Sequence, residues 1–252
     1  MRKYQGVLFV AMALSVGGLA SAPVAASSES AGISADKAQR LLVDGNARYV
    51  SQSFFHPNQT LERRTAVAQS QAPFAVIVSC SDSRVPPEVI FDRGVGDLFV
   101  VRVAGNVVDD VAIGSIEYAA EHLGAQLIMV LGHKRCGAVS ATVKGQATAG
   151  HLPAIAAKIA PAVERSKGQS GDLVDNAVRE NVLVVMETLS ASEPVLKEAV
   201  EKGKVRIVGA YYDLDSGEVK IASLPEDASG PKEVVAEKAA AKEKAPMVQH
   251  AA

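Results

Sequence analysis

The chain is predicted to be an α/β protein with a mainly parallel central β-sheet, four parallel strands plus a C-terminal antiparallel strand, flanked by helices. Three observations lead there. Short unbroken apolar runs, Phe74–Val78 and Leu127–Leu131, are bounded by polar turn residues, the pattern of strands buried on both faces. Segments with apolar residues at helical spacing alternate with the strand-like runs, as in βαβ units of a parallel sheet. Near the C-terminal end, Val205–Tyr211 turns through Asp215-Ser216-Gly217 into Glu218–Ile221, a hairpin and therefore an antiparallel pair.

The elements follow in order. Ser34 and Asp36 open a first helix, with Leu41, Leu42 and Tyr49 spaced to bury one face. Residues 51–65 read as irregular, and Asn58-Gln59-Thr60 as an accidental match to a glycosylation sequon. The first strand is Phe74–Cys80. Val85-Pro86-Pro87-Glu88 closes the turn after it and opens a short helix, since proline is tolerated in a first helical turn. Asp97–Val103 is the second strand and Ala104-Gly105-Asn106 a turn. Ile113, Ile116, Ala120 and Leu123 give Val111–Leu123 a helical period, which Gly124 terminates before the strand Leu127–Leu131. Gly137–Val143 starts a helix directly after Cys136, whose N-terminal dipole favours a thiolate and points amides at an anion. Ala154–Ser166, Leu173–Leu189 and Pro194–Glu201 are further helices, and Val205–Tyr211 is the last parallel strand. No internal repeat is visible.

Composition narrows the function classes. The 252 residues are 48% hydrophobic and 21% charged, ordinary for a soluble protein with a sizeable core, and tryptophan is absent. A formal net charge of −2 gives no reason to expect nucleic acid or an anionic membrane as partner. Arg2 and Lys3 precede the apolar stretch Gly6–Ala20, which is short for a membrane span and is followed by small residues. Residues 1–26 are therefore read as a signal peptide cleaved after Ala26, because Pro23 disfavours cleavage after Ala22. This places the mature protein in a bacterial periplasm, with no membrane attachment after cleavage. Residues 27–33 read as a flexible N-terminus, 34–223 as the folded domain, and 224–252 as a disordered Ala/Lys/Glu-rich tail.

Both strand-like runs end in chemistry. The first stops at Cys80, Asp82 and Arg84, the second at Gly132-His133-Lys134-Arg135-Cys136-Gly137. Ligands in open α/β sheets bind beyond the carboxyl ends of the strands, so Cys80, His133 and Cys136 are expected at one place. In an oxidising compartment two cysteines ordinarily suggest a disulfide. A structural disulfide, however, needs none of His133, Asp82 or Arg84. Zinc favours thiolate and imidazole ligands, and three protein ligands leave a fourth position open. A Cys80–Cys136 disulfide stays open as an oxidised off-state of the metal-free protein.

Cys80-Ser81-Asp82-Ser83-Arg84 together with Gly132-His133-x-x-Cys136-Gly137 resemble the two signatures of the β-class carbonic anhydrases, and the similarity runs over roughly Ser34–Ile221. The resemblance implies Zn2+ held by Cys80, His133 and Cys136, and reversible hydration of CO2 to bicarbonate and a proton by a zinc-bound hydroxide. Asp82 would accept its hydrogen bond, and Arg84 would hold Asp82 ionised; both are expected to be catalytic. In a closed form of some relatives this aspartate binds zinc as a fourth ligand. That form goes with a tryptophan this chain lacks, whereas Gln71 matches the open, plant-like subgroup. Gln71, Phe99, Tyr118 and Gly137 match substrate-pocket positions, and Ala104 replaces a larger aliphatic residue of some relatives. Part of this pocket comes from a neighbouring subunit in the family, so a homodimer or higher even oligomer is implied.

The remaining histidines attract less chemistry. His122 reads as a packing or helix C-terminal residue, His151 as a possible proton relay in a Gly-rich loop, and His56 and His250 as solvated. Gly94-Val95-Gly96 lacks a P-loop or dinucleotide pattern. Two alternatives stand beside CO2 hydration: a CS2 or COS hydrolase on the same scaffold, and a non-catalytic zinc- or bicarbonate-binding protein.

Overall fold

A computed structural model describes residues 32–222 of the chain. The expected signal peptide, the expected tail and His250 lie outside the described residues. Among the described residues, no helix is long and apolar enough to cross a membrane.

The first helix, α1 (Ala35–Val50), is capped by Ser34, whose side chain accepts from the Lys37 amide. After α2 (Leu61–Val67) come β1 (Ala75–Ser79), α3 (Pro87–Ile90) and β2 (Leu98–Arg102). A 3-10 turn, Ala104–Asn106, leads to α4 (Asp110–His122), β3 (Leu127–His133) and α5 (Gly137–Val143). The chain continues through α6 (Leu152–Ser166), α7 (Leu173–Ser190), α8 (Val195–Glu201), β4 (Arg206–Tyr212) and β5 (Val219–Ala222).

The five strands lie in the order β2-β1-β3-β4-β5. The first four are parallel, and β5 pairs antiparallel with β4, as expected from the sequence. Alternation along β1 divides the core into two layers. Val76 and Val78 join Ile116, Val130, Val182 and Leu189 on one face. Ala75 and Ile77 join Leu42, Ile90, Phe91, Met129 and Leu131 on the other. A side chain period of two across a sheet covered on both sides produces this split.

The strand order also locates a crevice. From β1 the chain leaves toward β2, and from β3 it leaves the other way, toward β4. Neighbouring strands whose connections part like this form a topological switch point, where α/β sheets bind ligands. Cys80 and the segment His133–Cys136 emerge there.

Three expectations need correction. Residues 51–65 are not irregular throughout, because α2 begins at Leu61 with Thr60 accepting from the Arg63 amide. This helix buries none of its residues, so no apolar period betrayed it. On α1 the fully buried positions are Ala38, Leu42, Gly45 and Asn46, while Leu41 and Tyr49 are half-buried. Lastly, β3 extends through Gly132 and His133, which pair with Tyr211 and Tyr212 of β4. Gly124 does end α4 in a left-handed conformation at φ 74°. The sequon Asn58 is engaged elsewhere, its Nδ2 donating to Asp97 Oδ1 at 2.7 Å.

Candidate metal centre

Cys80, His133 and Cys136 converge as expected. Cys80 follows the last residue of β1, His133 ends β3, and Cys136 is the N-cap residue of α5. All three are buried, and their ligand atoms lie within 4.8 Å of one another. Two thiolates and an imidazole on one tetrahedral zinc stand ~3.5–4 Å apart, given metal–ligand bonds of about 2.0–2.3 Å. The cluster has the dimensions of such a site.

His133 supplies a further test of fit. Its Nδ1 lies 3.0 Å from the Lys134 carbonyl oxygen. A carbonyl only accepts, so Nδ1 carries the proton and Nε2 is left as a bare lone pair. Nε2 is fully buried and has no hydrogen-bond partner. Metal-ligating histidines are commonly held in this way, by a bond from the other ring nitrogen. The donor set suits a thiophilic, imidazole-binding dication.

Backbone amides surround the sulfurs. Cys80 Sγ accepts from the Gly105 amide at 3.2 Å and from the Asp82 amide at 3.4 Å. The amides of Ala138 and Val139, in the first turn of α5, point at the Cys136 sulfur. The two thiols divide their protons unequally. The Cys136 thiol beside Cys80, against burial, holds it well below the ordinary cysteine value, with the Gly105 and Asp82 amides assisting. Cys80 and burial drive Cys136 far up in return. A dication held by Cys80 and Cys136 would need both as thiolates and so would release a proton on binding.

Asp82 stands beside this cluster, its Oδ2 3.8 Å from His133 Nε2. Arg84 grips it with both prongs: Nε donates to Oδ1 at 2.9 Å and a terminal NH2 to Oδ2 at 2.7 Å, while the Arg84 amide donates to Oδ1 at 3.0 Å. That guanidinium holds the carboxyl far below the usual carboxylate range, although partial burial works the other way. Arg102, unnoticed in the sequence, pins the same loop from β2, donating to the carbonyls of Cys80 (2.9 Å) and Asp82 (2.7 Å). Its signal was a lone arginine inside an apolar strand. On the other side, Lys134 lies 3.0 Å from both Asp213 and Asp215, and Arg135 makes a two-pronged pair with Asp215.

Gly137 is exposed, and a Cβ there would meet nothing within 4 Å, so its surface beside Cys136 is open. The other expected pocket residues are not gathered around the cluster by their own chain. Phe99 packs into the layer beneath α4, its ring 6.4 Å from that of Tyr118, which is 48% exposed. Tyr118 in turn lies 5.3 Å from the ring of His122. Gln71 and His151 face solvent. His56 is exposed, as expected, and stacks on Phe54 at 5.1 Å.

Comparison with known proteins agrees with this geometry. A family model described as "Carbonic anhydrase" matches residues 75–219. The chain is 39% identical over 190 residues to a carbonic anhydrase of Mycolicibacterium smegmatis, covering 74% of this chain and 92% of that one. It is 40% identical over 184 residues to carbonic anhydrase 2 of Mycobacterium tuberculosis, covering 71% and 89%. Among solved structures, the β-carbonic anhydrase CcaA superposes with a TM-score of 0.58 at 27% identity, over 73% of this chain and 94% of that one. A tetrameric β-carbonic anhydrase from Sordaria macrospora superposes at 0.60 with 25% identity, over 75% and 98%.

Proposed function

The chain belongs to the β-carbonic anhydrase family, and from that premise we propose that it hydrates CO2 reversibly at a zinc ion held by Cys80, His133 and Cys136, with Asp82 and Arg84 as its catalytic pair. The observation carrying this reading is the convergence of two buried thiols with a bare, unpartnered imidazole nitrogen. When bound, zinc acts as a Lewis acid that brings the pKa of a coordinated water toward neutrality, so that it can attack CO2.

The protein's own groups do the rest. Cys80, His133 and Cys136 supply a rigid, buried donor set whose charge is fixed by the surrounding amides. Asp82, kept ionised by Arg84, can only accept a hydrogen bond. At Oδ2 it would therefore accept a hydrogen bond from a water held at the metal position and so orient an oxygen lone pair toward CO2. The intact Asp82–Arg84 pair supports the open form, in which this carboxylate stays off the metal. Gly137, with open space over its Cα, is the backbone donor for a bicarbonate oxygen.

The working unit is proposed to be a dimer or higher even oligomer. Gln71, Phe99 and Tyr118 lie away from their own chain's cluster, which supports their serving a partner's site. The edge strand β2, with all five residues half-buried, offers a surface for that contact. Export to the periplasm is likewise proposed, from the basic and apolar N-terminus; intact-mass analysis of the mature protein should begin it at residue 27.

Stopped-flow CO2 hydration near pH 8.5, with zinc quantified, tests the activity. Rapid hydration abolished by a chelator is expected. Zinc-loaded protein that hydrates no CO2 would overturn the reading.

A further inference from the structure

Behind Cys80 lies a buried polar chain that the proposed chemistry does not use. Asn181 is fully buried on α7, between the core residues Val178, Val182 and Val185. A carboxamide in such a place is costly unless its groups are bonded, so its partners are informative. Its Nδ2 donates to the Gly105 carbonyl at 2.8 Å and reaches Asn106 Oδ1 at 3.4 Å, while its own Oδ1 has no partner. Gly105 is the residue whose amide points at Cys80 Sγ.

The turn around Gly105 needs such an anchor. Gly105 and Asn106 are consecutive left-handed residues, at φ 75° and 45°. The strand β2 ends at Arg102, so the sheet ladder does not hold them. A side chain at 105 is also disfavoured, by the left-handed φ of 75° and by a Cβ that would stand 2.8 Å from Ile159 Cδ1. Gly105 is thus fixed on one side by packing and on the other by the Asn181 amide. A leucine would fill the space at 181 and leave no unpartnered oxygen; what asparagine adds is the bond to the Gly105 carbonyl.

We infer that Asn181 is a positioning residue for the metal centre: by holding the Gly105 carbonyl, it aims the Gly105 N–H at the Cys80 sulfur and so sets the charge that this thiolate gives to a bound metal. The inference rests on the metal reading above. An N–H···S bond stabilises the negative charge on the sulfur and fixes its lone pairs, and loss of such outer contacts loosens metals held by an unchanged ligand set. Without Asn181 the Gly105 carbonyl is released, Gly105 turns about its φ and ψ, and the N–H···S bond lengthens.

The test uses metal-free full-length protein as wild type, Asn181→Leu and Asn181→Ser, with Asn176→Ser as a control at a half-buried position near the start of α7, where the amide donates to the Ser170 carbonyl. Zinc affinity is measured by chelator competition, and the sulfur-to-metal charge-transfer band is recorded with cobalt(II). Both Asn181 variants should bind zinc about tenfold more weakly, with a displaced cobalt band, and the control should match wild type. Serine at 181 is small enough to fit without strain and carries the test where leucine does not fold. Wild-type affinity and band in the Asn181 variants, even with a lower melting temperature, would overturn the inference and leave Asn181 a fold residue. Wild type that takes up neither metal would overturn the metal reading itself, which separates the two failures.

Discussion

A carboxylate beside two thiols and an imidazole stays ionised only if something compensates it, and at Asp82 that is Arg84. The pair is two-pronged and reinforced by the Arg84 amide, a geometry lysine could not reproduce. Asp82→Asn keeps the size of the side chain but adds donors where an acceptor is needed. This variant should retain a full complement of zinc and lose roughly 100-fold in CO2 hydration, the upper end of what outer-shell changes cost. Cys80→Ser should lose zinc and activity together. Metal analysis beside stopped-flow rates separates the two, and full activity in Asp82→Asn would show that the pair has another role. At this scale the sequence was legible where a residue type is rare in its setting: Cys80, His133, Cys136, Asp82 and Arg84 each interrupt or end an apolar run. Arg102 interrupts one as well, but its partners are main-chain carbonyls, which no residue pattern encodes.

Between elements, the contact of α1 with the segment after α3 shows how a buried charge locks a loop. Arg48 of α1 donates to Asp92 at 2.6 Å, and the amides of Phe55 and His56 donate to the same fully buried carboxylate at 3.0 Å. Burial alone would raise the Asp92 carboxyl, but Arg48 and the amides outweigh it and hold it below its ordinary value. A lowered carboxyl contributes stability that is present above its unfolded value of about 4 and is lost as pH falls through the folded value. Arg48→Ala should therefore cost about 3 kcal/mol at pH 7, where it strands a buried charge. The cost should shrink as pH falls from about 4 through the lowered Asp92 value, below which the carboxyl is neutral, leaving the smaller loss of the Arg48–Phe55 stack. Urea unfolding at the two pH values checks magnitude and sign; an equal loss at both would assign the effect to packing. Helices and strands with a buried face were legible because burial imposes a period. α2 was not, since it turns no apolar face inward.

For the whole molecule, one chain gathers Cys80, His133 and Cys136 beside Asp82 and Arg84, while Phe99 packs beneath α4 with its ring near that of Tyr118, and Gln71 faces solvent. If a partner supplies them, complementation between defective chains follows from two-fold symmetry. In a heterodimer of Cys80→Ser with Gln71→Ala, one site carries both lesions and the other carries neither. Co-refolding equal amounts of the two variants should restore about a quarter of wild-type sites, since half the dimers are mixed and each has one intact site. Activity no higher than the mean of the separate variants would place all pocket residues within one chain. Measuring mass by light scattering alongside ties the recovery to the oligomer.

The sequence by itself determined the fold class, the convergence of Cys80, His133 and Cys136, and the hairpin at the sheet edge. These follow from local rules: apolar runs make buried strands, helical periods make covering helices, and chemistry collects at strand ends. What only the tertiary structure decided is how the site is held. That Arg102 reaches across from β2 and that Asn181 braces Gly105 against Cys80 depend on segments far apart in the chain, and that Nδ1 of His133 is tied to the neighbouring Lys134 carbonyl depends on how the chain turns out of β3. Main-chain amides and carbonyls do most of this work. They are the same at every residue, so their direction is set by the packing of the folded chain and leaves no mark on residue type.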